Sequence, residues 1–484
     1  MLDLLAPSRL TDKGIYYGFA LLTLLSSLAA VLLYTPIPLA VPLGCLAIIF
    51  AVNAPLKVFY LFFFLLPFSM EFEFGSFGTD LPSEPMMVSL LGLALLLLIK
   101  NVGRLRSSLF LHPIALMIIT HVCWIGLTTI TSTHPVISLK YFLAKIWYVV
   151  PFFFLPLILM KTELQFRRVF QVLSISMFVA IVFVLVKHAG FGFSFDKSNK
   201  VVRPIFRNHV NYAIMLLAFL PYFWYVIKTA AVSHRKWLYG LLLVLLLAIY
   251  FSFTRAAQAS VILAVAYHWV LRWRLTKICV AVGLVGALFL SAYLVTGERY
   301  LEHAPDYEKT ITHKKFNDIV GATTKMEDIS TVERFFRWVA GGYMVAEKPV
   351  FGFGPATFYN NYNAYTVTSY TTYVSDNPER SGIHNNYLMV AVEQGLPGLL
   401  IMLAMAILPL LYAEQIYHRL EAPEHKRLLM AAATCFFVLC VVLLINDLIE
   451  ADKVGPFFFL SAAAIVWCGD KVLPRDTITS SEER

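Results

Sequence analysis

Charge is scarce in this chain: of 484 residues only 14% are Asp, Glu, Lys or Arg, whereas 59% are hydrophobic and the mean hydropathy is +0.71. Soluble globular proteins carry about a quarter charged residues, so a large water-soluble catalytic domain is excluded and an integral membrane protein is implied. Cysteine is sparse and unpatterned. Cys45, Cys123, Cys279, Cys435, Cys440 and Cys468 all fall in apolar stretches with no CxxC spacing, which reads as small core residues rather than disulfide staples or metal ligands. HExxH, a P-loop, GxSxG and a paired acidic DxD element are absent as well, so the sequence points to no metal and no cofactor. The net charge of +9 does not indicate nucleic acid, because no basic run with interleaved stacking aromatics occurs outside the apolar segments.

Long apolar runs are what the chain has in abundance. Windows near Ile15–Tyr34, Ile37–Val52, Leu56–Met70, Met86–Ile99, Pro113–Ile130 and Ile146–Met160 have the length and composition of membrane spans. Eight more lie near Val169–Val186, His209–Ile227, Trp237–Phe253, Ala256–Leu271, Ile278–Val295, Asn386–Tyr412, Leu428–Ile445 and Val454–Trp467. The first run follows Arg9 and Lys13 like a signal peptide, but it is too long and Thr35-Pro36-Ile37-Pro38 follows in place of a cleavage motif, so it reads as an uncleaved span. Lysine and arginine then fall in alternate short loops: about twenty, from Arg9 to Arg475, lie on one side and about seven on the other. This bias predicts cytoplasmic termini and an outer location for the long polar connection.

The expected fold is therefore all-α, a polytopic transmembrane helix bundle of about 12–14 spans with one long, partly helical periplasmic loop. Residues 1–295 would form spans 1–11, 296–385 the loop, 386–470 spans 12–14, and 471–484 a solvated cytoplasmic tail. Within the loop, Ser330-Thr331-Val332-Glu333 has a capping-box spacing that should start a helix ending near Pro349. Phe335, Phe336, Val339 and Tyr343 would give that helix an apolar stripe.

Polar residues beside the spans carry what chemistry there is, because a cation near lipid is costly without an anion or a watery cavity. Arg203 stands in Arg203-Pro204-Ile205-Phe206-Arg207-Asn208-His209-Val210-Asn211 at the outer end of a span; snorkelling to lipid phosphates is the competing reading. Arg255 lies in the tight turn Ser252-Phe253-Thr254-Arg255-Ala256, whose small hydroxylated residues can donate to an anion. His384, in His384-Asn385-Asn386-Tyr387, sits where the outer loop re-enters the membrane and can take a proton. Helical spacing turns Glu393 about half a turn away from His384, a position for bracing rather than direct pairing. Glu71-Phe72-Glu73 alternates as a metal pair would, but it reads first as a plain acidic outer loop, and the Asp447, Glu450, Asp452 group at another outer turn is equally ambiguous. Arginine forks suit a diphosphate, and the side assignment places Arg203, Arg255 and His384 together on the outer face.

These elements resemble the bacterial O-antigen ligase and O-antigen polymerase superfamily of membrane glycosyltransferases. Ser252-Phe253-Thr254-Arg255-Ala256 resembles that family's Ser-x-Ser-Arg-Gly/Ala element, with Thr254 in place of a serine. Glu333-Arg334, then Glu347-Lys348-Pro349-Val350-Phe351-Gly352-Phe353-Gly354-Pro355, is similar to its outer-loop signature, and His384-Asn385 followed by Glu393-Gln394-Gly395-Leu396-Pro397-Gly398 to its His-Asn to Glu-x-Gly-x-x-Gly stretch. The resemblance implies that Arg203 and Arg255, with Arg334 as a further phosphate contact, bind the diphosphate of an undecaprenyl-linked glycan donor. His384 would be the catalytic base, activating an acceptor hydroxyl for an inverting, metal-independent transfer. Asn385, Tyr387, Ser252, Thr254 and either Asn208 or Asn211 would line or support the pocket.

The acceptor implied most simply is lipid A core, in the bacterial inner membrane among membrane lipids, as for an O-antigen ligase. A polymerase using a second lipid-linked glycan, or a ligase acting on protein hydroxyls, needs the same donor chemistry. A secondary transporter or lipid flippase would also need many spans, but the chain has no inverted repeat and its polar motifs cluster at the rim rather than the midplane.

Overall fold

The computed structural model describes residues 12–35, 37–74, 77–100, 110–303, 328–371, 375, 377 and 381–472. The predicted tail beyond residue 472 and the basic residues Arg9, Arg104 and Arg106 lie outside them. Its contacts divide the chain into two units, residues 1–61 and 62–484. The first holds α1 (Asp12–Leu32) and α2 (Ala40–Asn53), both almost wholly apolar, and the start of α3 (Pro55–Leu65). Pro55 opens α3 at a position whose N–H has no partner within a helix, so the ring costs nothing there.

In the second unit, the acidic outer turn expected after Glu71 is a β-hairpin. Strands β1 (Met70–Phe74) and β2 (Phe77–Leu81) pair antiparallel with Glu71 opposite Asp80. Apart from this hairpin, the regular structure among the described residues is helical: α4 (Ser83–Lys100), α5 (Pro113–Ile130), α6 (Pro135–Val149) running through a π-turn into α7 (Leu155–Leu159), α8 (Glu163–Ala189) and the short α9 (Ser198–Val202). Then come α10 (His209–Thr229), α11 (Val232–Phe251), α12 (Arg255–Arg272) and α13 (Thr276–Val295). The polar connection carries α14 (Ile329–Glu347) and α15 (Phe358–Asn361), and α16 (Asn386–Tyr417), α17 (Pro423–Val442) and α18 (Gly455–Gly469) follow.

Among the described residues nine helices are long and apolar enough to cross a membrane, or ten if the bent pair Gly44–Asn53 and Pro55–Phe68 is one span; Tyr16–Leu32 and Gly455–Gly469 are shorter apolar helices. The chain is thus an all-α polytopic bundle. The window near Ile146–Met160 proves to be the second half of a longer helix from Pro135 to Leu159, because Ser138, Lys140 and Lys145 mask the apolar character of its first half.

Packing centres on α17, which contacts both α10 and α18. Every residue of α18 is buried, as expected of a helix that is apolar on all faces and carries small alanines for close approach. Its one hydroxyl, Ser461, meets Tyr222 of α10 at 2.7 Å, and Phe170 of α8 stacks on Tyr222 with ring centroids 3.7 Å apart. The equally apolar α13 buries only Thr276.

Outside the spans, α14 is capped by Asp328 rather than by the expected Ser330: the Asp328 carboxylate accepts the Thr331 N–H at 3.2 Å. Val332, Phe336, Ala340 and Met344 form its buried stripe at four-residue spacing. Tyr343, expected in that stripe, is 45% exposed. The stripe enters an apolar cluster with Phe353, Phe358, Tyr362, Tyr370, Ile383 and Val392, which ties the polar connection to the start of α16.

Candidate functional site

His384 occupies the left-handed backbone region at φ 56°, a conformation that costs about 1–3 kcal/mol outside glycine and persists only when neighbours enforce it. The enforcement is visible on both sides. The Arg337 guanidinium donates to the Gly382 carbonyl at 3.1 Å and the Trp338 indole to the Ile383 carbonyl at 3.0 Å. Downstream, Asn386 N–H donates to the Leu443 carbonyl at 2.8 Å, Asn385 caps α16 by accepting the Leu388 N–H at 3.0 Å, and the Tyr387 hydroxyl donates to the Cys440 carbonyl at 3.0 Å. Asn385 and Tyr387, expected to line a pocket, are thus engaged in holding the histidine's backbone.

The fixed imidazole faces Asp447 in the connection between α17 and α18, Nδ1 to Oδ1 3.6 Å, with side chains 31% and 19% exposed. Burial pushes the Asp447 carboxyl up, but hydrogen bonding and the charge of His384 outweigh it and hold the group below the usual carboxylate range. Gly382 makes the approach possible, since a Cβ there would lie 1.9 Å from Asp447 Oδ2.

Beside this pair lie the arginines. Arg255, at the first turn of α12, sets Nη2 3.3 Å from Oδ2 of Asp328, the cap of α14. Its turn is held by Ser252, whose hydroxyl donates to the Ile249 carbonyl at 2.6 Å and whose Oγ accepts the Thr254 N–H at 3.4 Å. Arg334, one turn into α14, is close enough to Arg255, Asp328, Asp447 and Arg337 to feel all four charges. Burial and the Arg255 charge lower its pKa, and the two aspartates oppose this. Its Nε is buried without a hydrogen-bond partner among the described residues. Arg337, by contrast, forms a buried pair with Glu333 at 3.2 Å. Arg255, Arg334, Asp328, Asp447 and His384 therefore form one cluster. An anion reaching it would meet a half-buried guanidinium whose buried Nε donor is unused and a second one that is a third exposed.

Arg203 and Asn211 lie elsewhere in the second unit. Both line a cavity of about 550 Å³, together with Glu71, Asp80, Arg207, Glu450, Asp452 and Lys453. Neither Arg255 nor His384 is among the residues lining it. The connection between α17 and α18 joins the two places, contributing Asp447 to the histidine and Glu450 to the cavity. Of the two candidate asparagines, Asn208 caps α10 through the Asn211 N–H at 2.9 Å, while the Oδ1 of Asn211 is buried without a partner among the described residues. Glu450 is fixed from below by Lys145 and by the Tyr141 hydroxyl at 2.7 Å. On the hairpin, burial first and the charge of Asp452 second raise Asp80 to about 7.

Glu393 braces the backbone of the polar connection. Its carboxylate accepts the N–H groups of Ala356 at 2.8 Å and Phe358 at 3.1 Å, and its carbonyl accepts Gly354 N–H at 2.9 Å. Gly395 breaks α16 here at φ 72°, and a Cβ on it would lie 2.1 Å from the Val350 carbonyl oxygen. The outer-loop signature and the Glu-x-Gly stretch are thus two sides of one backbone clasp.

Sequence reading missed Asp328 and Asp447 as partners of Arg255 and His384. The available signal was Asn446-Asp447 and Glu450-Ala451-Asp452-Lys453 crowded between two apolar helices, but nothing local says which cation each acid meets.

No curated protein matches the chain. A family description fits one stretch, and it supports a glycosyltransferase-type ligase or polymerase function in general terms: residues 240–403, the stretch that carries Arg255, Arg334, His384 and Glu393, match the O-antigen ligase family, which identifies an O-antigen ligase domain in this multi-pass membrane protein.

Proposed function

We propose that the protein is a membrane glycosyltransferase of the O-antigen ligase type, moving a glycan from undecaprenyl diphosphate to a hydroxyl of lipid A core on the periplasmic side of the inner membrane. The observation that supports this most directly is the clustering of Arg255 and Arg334 beside the His384–Asp447 pair, contributed by four separate segments. In this reading His384 Nε2 takes the proton of the acceptor hydroxyl as its oxygen attacks the anomeric carbon. The bond from that carbon to the donor phosphate breaks with inversion, and Arg255 and Arg334 receive the charge left on the diphosphate. Asp447 holds the imidazole through Nδ1 and stabilises its protonated form. The gap of 3.6 Å is long for a hydrogen bond, and substrate binding commonly tightens such contacts. Arg203 would hold the donor from the neighbouring cavity.

Purified protein in lipid, given lipid-linked glycan and lipid A core, should release undecaprenyl diphosphate and form a glycosylated core. Glycan joined to a second lipid-linked unit instead would assign the polymerase reaction, and glycosylated protein the protein ligase. Lipid movement without any product would refute glycan transfer.

A further inference from the structure

From Pro349 to Ser375 the chain runs through 27 residues without one Asp, Glu, Lys or Arg, although Lys348 and Asp376 flank the stretch. Uncharged stretches elsewhere in this protein are apolar helices. This one contains five tyrosines and three asparagines, with threonines and serines between them, and it lies outside the spans. Phe358, Tyr362 and Tyr370 anchor it in the apolar cluster that also holds Ile383, the neighbour of His384. The other face is open: Tyr359 and Tyr365 are half-buried, and Asn360, Asn363, Thr368 and Ser369 are exposed. The Tyr365 ring is already oriented, edge-on to Phe353 at 5.7 Å between centroids and with its hydroxyl donating to Glu347 at 2.6 Å.

We propose that this face holds a neutral stretch of the glycan chain. The proposal rests on the glycan-transfer reading and adds to it a grip on sugars remote from the reacting bond. Sugar rings offer C–H faces that lie against aromatic rings and hydroxyls that exchange hydrogen bonds with amides and alcohols. Rigid tyrosines and adaptable asparagines and serines supply both kinds of contact at low ordering cost. The stretch has no charge of its own, and Glu347 and Lys348 at its start are one of each sign, so neither a polyanion nor a polycation would find a net counter-charge here. A purely apolar ligand would leave its asparagines and threonines without partners.

The test uses the full chain in lipid nanodiscs and, as probe, the free polysaccharide released by mild acid from the host's own lipid-linked glycan. Wild type should bind it, and Tyr359→Ala/Tyr365→Ala should weaken the Kd by about tenfold, as expected when two stacking contacts of roughly 0.7 kcal/mol each are lost. Asn360→Asp/Asn363→Asp, which alters only exposed side chains, should weaken it comparably and guards against misfolding of the tyrosine variant. With lipid-linked donors, both variants should raise KM for long chains and leave KM for a single repeat unchanged. No binding of free glycan by wild type, or unchanged binding in both variants, overturns the proposal. So does quenching of Tyr359→Trp fluorescence by headgroup-labelled lipid that glycan fails to relieve, which would assign the face to the membrane interface. Failure of wild type to release undecaprenyl diphosphate removes the transfer reading instead, and binding of the free polysaccharide then judges this face separately.

Discussion

His384 and Asp447 show how a proposed role at the scale of one residue becomes measurable. His384→Ala should reduce transfer by about 10²–10⁴-fold with expression near wild type and only a modest fall in Tm, because the backbone bonds that fix the segment come from its neighbours although Asp447 loses its partner; near-wild-type turnover would remove the imidazole from the mechanism. Asp447→Asn should lower kcat by at least about tenfold and change the shape of the pH–rate profile while leaving donor KM nearly constant. A purely structural aspartate would leave that profile unmoved. Because the folded protein holds Asp447 below its usual range, its contribution to stability is complete above the unfolded pKa of about 3.9 and disappears as pH falls through the lower folded value. Asp80 has the opposite sign. Raised to about 7, it binds its proton more tightly folded than unfolded, so stability falls between about pH 4 and pH 7. Asp80→Asn should accordingly raise the Tm at pH 8 more than at pH 5. Arg255→Lys should raise donor KM by about tenfold or more, since an ammonium cannot reproduce the planar fork.

At the scale of elements, the clasp between the outer-loop signature and the break in α16 fixes the polar connection against the helix that His384 precedes. Glu393→Gln keeps the shape but replaces one acceptor oxygen by a donor, leaving the N–H of Ala356 or Phe358 unpaired. A loss of about 1–3 kcal/mol in unfolding free energy is expected, read as a fall in Tm. The motif as a string of letters marks the glycines and the glutamate; only the fold shows that one motif is the partner of the other. The same holds for α14. Its existence and its end near Pro349 are legible in the capping and apolar patterns, but its cap is Asp328 and its buried stripe begins at Val332. Capping is decided by which oxygen reaches the free N–H groups, a matter of a rotation within a single turn.

For the molecule as a whole, orientation is the property most directly carried by composition and most open to test. Cysteine introduced at exposed Ser369 should react with membrane-impermeant maleimide in intact cells, and cysteine at exposed Glu421 should react only after permeabilisation; the reverse pattern would invert the topology and move His384 to the cytoplasm. The sequence by itself determined that the chain is a helical membrane bundle and where nearly every helix lies, because a segment must be apolar for about 20 residues before lipid accepts it, and that requirement is local. It could not tell α18 from α13: both are apolar on all faces, yet one is wholly buried and the other buries a single residue. Nor could it assign Asp328 to Arg255, or Asp447 rather than Glu450 to His384. Burial and charge pairing depend on which surfaces meet across hundreds of residues, so tertiary structure alone decided them.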